Sequence, residues 1–390
     1  MKKILGTAVA AMMFALPSAA VAQDTVKIAN LIELSGNGAA IGTNWTDAVN
    51  MAVEEINAAG GVLGKKIVVT NYDTQSTPGT SRAQMQKALD DEPYVVLGPI
   101  FSSSTRVNMA LSKRAGVPQI VGSEAASITQ QGHPTIFRTS FGQAMGMPKL
   151  VKYLKETVKA KSVAIIYTND EWGKGGRNTA KALMEKAGIT IAADVSSEVQ
   201  QVDFSAEVLK VRNANADAIF AYCLEEESAR FLNELRKQGY DGPLIGETTL
   251  ISQKVIDLSG VNANGAKGHV GLTAAAPVPS LQDFGRKFKA RTGRNTDHNG
   301  VKGYIAVYVM KEVTERMGAF DQARFAKTLR GTTITTKDEP GVLLDIRYDM
   351  TGDVDRASFL VDWWTASRRS LRYSLRSASS PTPAEYTTST

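Results

Sequence analysis

Between residues 26 and 272, short apolar runs alternate with helix-length amphipathic stripes, and this alternation constrains the fold more than any other feature of the chain. Residues 26–33 read as a strand. Residues 44–59 read as a helix whose apolar positions Trp45, Ala48, Val49, Ala52, Val53 and Ile56 make one stripe, and residues 66–72 read as the next strand. Two strands joined through a helix lie parallel, because the crossover returns the chain to the same end of the sheet. The pattern continues with helices over 82–89 and 105–115 and strands over 94–97, 119–121 and 136–138. After Phe141 a second series begins, with helices over 148–158, 175–187, 205–213, 226–238 and 252–258. Strands over 162–167, 190–195, 218–224, 243–246 and 269–272 interleave with them. Two successive series predict an α/β fold of two doubly wound lobes with a cleft between them. Three helical patterns then follow without strands between them, 280–291, 299–317 and 322–330, and after them extended segments 342–348 and 358–364. These helices are expected to return and cover the first lobe, and the last strands to cross to the second.

The ends differ from this body. Lys2 and Lys3, an apolar stretch over residues 4–16, Pro17 and the small residues Ala20, Val21 and Ala22 form a secretory signal, residues 1–22, with cleavage expected between Ala22 and Gln23. Its apolar part is too short to span a bilayer, no cysteine follows the cleavage point, and no later stretch is long and apolar enough to insert. The product is expected to be periplasmic, with no direct membrane insertion. Of the net charge of +6, two units belong to Lys2 and Lys3 and three to the last 25 residues, which leaves +1 for residues 23–365. A nearly neutral body excludes the basic footprint that nucleic-acid binding requires. Residues 366–390 are rich in Ser, Thr, Arg and Pro and are expected to be a disordered or aberrant tail. Cys223 is the sole cysteine, so packed cores rather than disulfides must hold the fold, and Cys223 itself reads as a small buried hydrophobe.

The richest local signal is YVVLGPIFSSST over residues 94–105, a strand, a Gly-Pro break and a helix start. A helix start presents backbone N–H groups without internal partners and partial positive charge, so Ser102, Ser103 and Ser104 make a cradle for an anionic oxygen. The plainer alternative is that one serine caps the helix. Gly36, Gly38 and Gly42 imitate a dinucleotide loop, but the third glycine comes one residue late, and Asp73 lies about 30 residues beyond Gly42 where about 20 is expected for a ribose-binding acid. His133, His269 and His298 lack metal-ligand spacing and read as surface or capping residues. No G-x-S-x-G elbow, P-loop or H-E-x-x-H occurs. A non-enzymatic binding protein without metal or cofactor is therefore expected.

The segments LSGNGAAIG, AVEEINAAGGVLGKKI, VLGPIFSSST, SITQQG, FRTS, AIIYTNDEWGKG, VDFSAEVLKVRNANADAIF and FLNELRKQGYDGPLIGE occur in that order behind the signal. Together they resemble the type I periplasmic solute-binding proteins of the leucine/isoleucine/valine-binding family, which serve ABC importers. The resemblance implies three crossovers, near Phe141, Thr273 and Tyr348, with residues 24–141 and 274–347 in an N-terminal lobe and 142–273 and 348–365 in a C-terminal lobe. It also implies a small-molecule ligand such as an amino acid, permease subunits as partners, and a monomer. By the same resemblance Ser102, with Ser103 beside it, and the loop at Ser123 and Glu124 hold the ligand's carboxylate, while Trp172 closes over the ligand from the second lobe. Three positions depart from the branched-chain pattern. Glu124 stands where a threonine is usual, and Leu224, followed by Glu225, Glu226 and Glu227, where a tyrosine is usual; Thr248 stands where the ammonium-binding glutamate is usual, with Glu247 adjacent. Glu124 would repel a carboxylate and pair with an ammonium or an amide N–H, which implies a solute with a cationic or hydrogen-donating end. The three glutamates also fit a plain helix start, where acids favour the dipole. A ligand-sensing receptor module of the same fold, and an exported enzyme with an unrecognised site, are the alternatives.

Overall fold

A computed structural model describes residues 24–139, 142–355, 358–362 and 372–376. The expected signal segment, the crossing at Phe141 and most of the tail lie outside the described residues. Strand β1 (Thr25–Ile32) leads through helix α1 (Ala39–Ala58) to β2 (Lys66–Asp73), and the two strands pair in parallel with Thr25 opposite Lys66. Helix α2 (Pro78–Asp90), β3 (Val95–Leu97), α3 (Ser102–Ala115), β4 (Gln119–Val121), the short α4 (Ala126–Thr129) and β5 (Ile136–Arg138) complete a parallel sheet of order β2-β1-β3-β4-β5. The second series runs α5 (Gln143–Tyr153), β6 (Ser162–Thr168), α6 (Glu171–Lys186), β7 (Thr190–Ser197), α7 (Ser205–Asn213), β8 (Ala218–Tyr222), α8 (Glu225–Lys237), β9 (Leu244–Glu247), α9 (Gln253–Ser259) and β10 (Ala266–Val270). These five strands pair in parallel in the order β10-β9-β8-β6-β7.

Helices α10 (Pro279–Thr292), α11 (His298–Met317) and α12 (Gln322–Leu329) then lie over the first sheet. α11 is buried along almost its whole length against α1, and a Cβ at Gly303 would stand 2.6 Å from the Trp45 carbonyl oxygen, so only glycine permits this approach. Tyr94 of the first lobe shares a 3.0 Å hydrogen bond with Thr314 of α11. The expected strand over 342–348 is instead a 3-10 turn at Pro340–Val342 and a short β12 (Ile346–Tyr348), flanked by β11 (Thr333–Ile334) and β13 (Val354–Asp355) in an antiparallel sheet. Asp353 forms a buried ion pair at 3.1 Å with Arg138 at the end of β5, tying the 348–355 segment to the edge of the first lobe. The chain then returns to the second sheet, where β14 (Ser358–Asp362) pairs antiparallel with β10.

Two readings from sequence are corrected here. Arg372–Arg376, within the tail expected to be disordered or aberrant, forms β15, antiparallel to β14. The helix expected from residue 44 begins at Ala39, so Gly42 lies inside α1, where a Cβ would meet the Glu33 carbonyl oxygen at 1.8 Å. The glycine that imitated a phosphate loop serves close packing of a helix on a strand end. Among the described residues, no helix is long and apolar enough to cross a membrane.

Candidate functional site

Residues from both lobes line one cleft of about 860 Å³, a volume that includes its solvent-open mouth. On the first lobe, the turn after β3 is fixed from below by Glu33, whose carboxylate accepts from the backbone N–H groups of Ile100 and Phe101, both at 3.1 Å. Burial pushes the Glu33 carboxyl up to about 7, against those two hydrogen bonds. The turn delivers Ser102 as the first residue of α3, lining the cleft, with its hydroxyl accepting from Ala125 N–H at 3.2 Å. Ser103, one helical step of about 100° round, does not line the cleft. Ser123 is also turned away: its hydroxyl donates to the Pro99 carbonyl at 3.1 Å and bonds the Thr105 hydroxyl at 2.5 Å, inside the lobe. The expected cradle therefore keeps Ser102 and loses the hydroxyls of Ser103, Ser104 and Ser123, none of which lines the cleft.

Glu124 does line the cleft, but not as a lone anion. Lys302 of α11 reaches it at 2.7 Å, and Lys302 also donates to the Gly122 carbonyl at 3.2 Å and to Asn299 Oδ1 at 3.5 Å. Burial works against the charge on Glu124, but Lys302 outweighs it and holds the carboxyl below its usual range. Glu124, expected to pair with an ammonium of the ligand, is paired with the ammonium of a side chain 178 residues away. Burial and the Lys302 charge together push His298 down to about 3, so this cleft histidine is neutral.

On the second lobe, Asp170 caps α6 through Gly173 N–H at 2.6 Å and presents Trp172 to the cleft. The indole stacks on Tyr222 of β8, with centroids 3.8 Å apart and planes 20° from parallel. Gly176 admits that tyrosine, since a Cβ there would sit 2.1 Å from the ring. Trp172 Nε1 donates across the cleft to Glu124 at 3.4 Å. Gln143 bridges the lobes too, accepting from Ala126 N–H at 3.2 Å and donating to the Trp172 carbonyl at 2.7 Å and to the Tyr222 hydroxyl at 3.0 Å.

Leu224, Glu225, Glu226 and Glu227 line the cleft at the start of α8. Glu226 is ion-paired with Lys254 at 2.7 Å and Arg230 at 3.1 Å, and Glu227 accepts from Gln200 N–H at 2.5 Å. Burial pushes Glu225 up to about 7, with the Asp297 charge adding to it and the Ser252 hydroxyl and Lys254 opposing. Glu247, the last residue of β9, and Thr248 line the cleft together. Glu247 is only 6% exposed, and burial, reinforced by the Glu124 charge, raises its carboxyl. His269 Nδ1 stands 3.4 Å from Glu247 Oε1 and opposes that rise. Two of the three histidines read as surface residues thus belong to the cleft or its backing. Cys223 is buried, with its thiol pushed up to about 12 by that burial.

The sequence reading missed Lys302, His298, Asn299, Asp170, Gln200 and Lys254. Lys302 carried a usable signal, as the one charge in the apolar run from Gly300 to Met310.

Two parallel-sheet lobes that face each other across a polar, aromatic-flanked cleft define a type I periplasmic binding protein fold. The chain belongs to the periplasmic binding protein family, whose model matches residues 25–365. It is 28% identical over 353 residues to a leucine-, isoleucine-, valine-, threonine- and alanine-binding protein of Pseudomonas aeruginosa, covering 89% of this chain and 92% of that one. Its fold is similar to that of a branched-chain amino acid transporter substrate-binding protein of Streptococcus pneumoniae solved with isoleucine: TM-score 0.80, 22% identity, 90% of this chain and 100% of the other. It is also similar to an ABC transporter solute-binding protein of Rhodopseudomonas palustris solved with 3,4-dihydroxybenzoic acid: TM-score 0.79, 21% identity, 88% of this chain and 94% of the other.

Proposed function

We propose that this chain is the exported substrate-binding component of an ABC importer, capturing an amino acid or a related amide or amine by hinge closure and delivering it to permease subunits. The observation that carries this reading is the cleft itself, to which one lobe contributes Ser102 at a helix start and the other contributes Trp172 and Glu247. A carboxylate fits the N–H groups at the start of α3, and an ammonium fits Glu247; a ligand that touches both lobes stabilises the closed arrangement over the open one. Thr248 lines the cleft beside Glu247, and its hydroxyl donates to the His269 carbonyl at 3.4 Å. Residues 24–141 with 274–347 make one lobe and 142–273 with 348–365 the other, a division supported by α10–α12 lying over the first sheet and β14 joining the second. Export proceeds by cleavage between Ala22 and Gln23, and the protein works as a monomer. The named ligands of the Pseudomonas and Streptococcus relatives support an amino acid, and the acidic cleft weighs against an aromatic acid.

A thermal-shift screen of the chain lacking residues 1–22 tests this, against branched-chain, polar and basic amino acids, amides, amines and carboxylates without an amine. Ligand at a hundred times its dissociation constant adds about 2.7 kcal/mol, visible as a shift of a few degrees. A shift with amino acids or amines is expected; no shift with any of them would overturn the reading.

A further inference from the structure

The carboxylates of the cleft do not all have partners. Glu124 is neutralised by Lys302, Glu226 by Lys254 and Arg230; Glu227 and Asp170 accept from backbone N–H groups. Glu225 and Glu247 remain, neither ion-paired with a lysine or arginine among the described residues. Across the whole lining, six carboxylates stand against two lysines. A cavity with that surplus repels an anion and concentrates a cation. Glu247 is more than nine-tenths buried, and the nearest group to its Oε1 is His269 Nδ1 at 3.4 Å, too long for a strong hydrogen bond. A carboxylate in that state is costly until a donor from a ligand reaches it.

The two sit at different points of the wall. β8 and β9 are neighbours with Ala221 opposite Gly246, so Glu247 ends one strand while Glu225 opens the helix three residues past the end of the other. The groups that act on Glu247 are His269, Glu124 and Lys302, whereas those that act on Glu225 are Asp297, Ser252, Lys254 and Glu226. We propose that Glu247 and Glu225 are separate cation-binding points and that the selected solute carries two cationic groups and a carboxylate, as a basic amino acid does. The α-ammonium goes to Glu247, the carboxylate to Ser102 and the α3 start, and the side-chain ammonium or guanidinium to Glu225. Burial raises both carboxyls, as befits groups whose counter-charge arrives with the ligand. This inference rests on the binding-protein reading above, and makes Glu225 the residue that sets specificity within it.

The test is titration calorimetry of the chain lacking residues 1–22 with L-lysine, L-ornithine, L-arginine, and L-norleucine, which keeps the α-amino acid but lacks the distal cation. A basic amino acid is expected to bind about tenfold or more tighter than norleucine, since a charge-assisted bond in a buried site is worth at least that ratio. Glu225→Gln is expected to remove the difference while leaving norleucine within about threefold. Should Glu225→Gln not fold, the wild-type ratio decides alone. Norleucine binding as tightly as every basic amino acid, or an equal loss for both classes in the variant, would overturn the inference while the binding-protein reading stands. Binding of no amino acid at all would overturn the inference, and the binding-protein reading falls with it only if the amides and amines of the thermal-shift screen also fail.

Discussion

The two walls of the cleft are built on opposite electrostatic plans. The first-lobe wall closes its own account: Glu33 is met by two backbone N–H groups, Glu124 by Lys302, and the Ser123 hydroxyl by Thr105 and Pro99. The second-lobe wall keeps acid in excess at Glu225 and Glu247. A wall satisfied from within serves as a fixed platform, whereas a wall with unmet carboxylates is completed by what binds to it. Charge counted along the sequence misses this difference, because neutralisation depends on partners brought together by the fold.

The comparison is broken most severely by removing Lys302, which is 2% exposed. Lys302→Met leaves the half-buried Glu124 carboxylate beside an apolar side chain and should cost roughly 3 kcal/mol of stability, the low end for a buried pair, measured by denaturant unfolding. Lys302→Met combined with Glu124→Leu should recover most of the loss, because it is the orphaned charge rather than the missing pair that destabilises. A single variant as stable as wild type would mean that the first wall is not held by this pair.

A smaller effect separates the walls by pH. Glu33 and Glu225 are both pushed up to about 7, above their ordinary 4.5, so each contributes stability that is complete below about 4.5 and is lost as pH rises through about 7. His298, pushed down from 6.5 to about 3, acts in the opposite sense, but its contribution is complete above about 6.5. Between about pH 6.5 and 8 the carboxyls dominate, and the unliganded protein should lose roughly 1.5 kcal/mol across that window. Glu225→Gln should make the slope shallower, with Glu33 and the raised Glu247 supplying what remains. An unchanged slope in that variant would remove the distinction drawn for the second wall.

Much of this architecture was legible because it rests on local pattern. The apolar stripe of α1, the Gly-Pro break before Ser102 and the loop that presents Trp172 are all written within a few residues of one another. What was not legible depends on direction and distance. Ser102 and Ser123 share a residue type and a neighbourhood, yet one hydroxyl lines the cleft and the other turns into the lobe. Glu124 read as a lone acid because Lys302 lies far along the chain on a helix that returns late. The pairing of Arg372–Arg376 was masked by a composition poor in apolar residues, although a strand edge asks only for backbone groups and a period of two.

The central claim is that one small solute bridges both walls, and a single calorimetric comparison tests it most directly. The solute giving the largest thermal shift would be titrated into the wild type, into Ser102→Ala on the first wall and into Trp172→Ala on the second. The account predicts one site per chain, a loss of about tenfold or more in Trp172→Ala, and a smaller loss of a few fold in Ser102→Ala. Full affinity in either variant, or more than one site per chain, would contradict it.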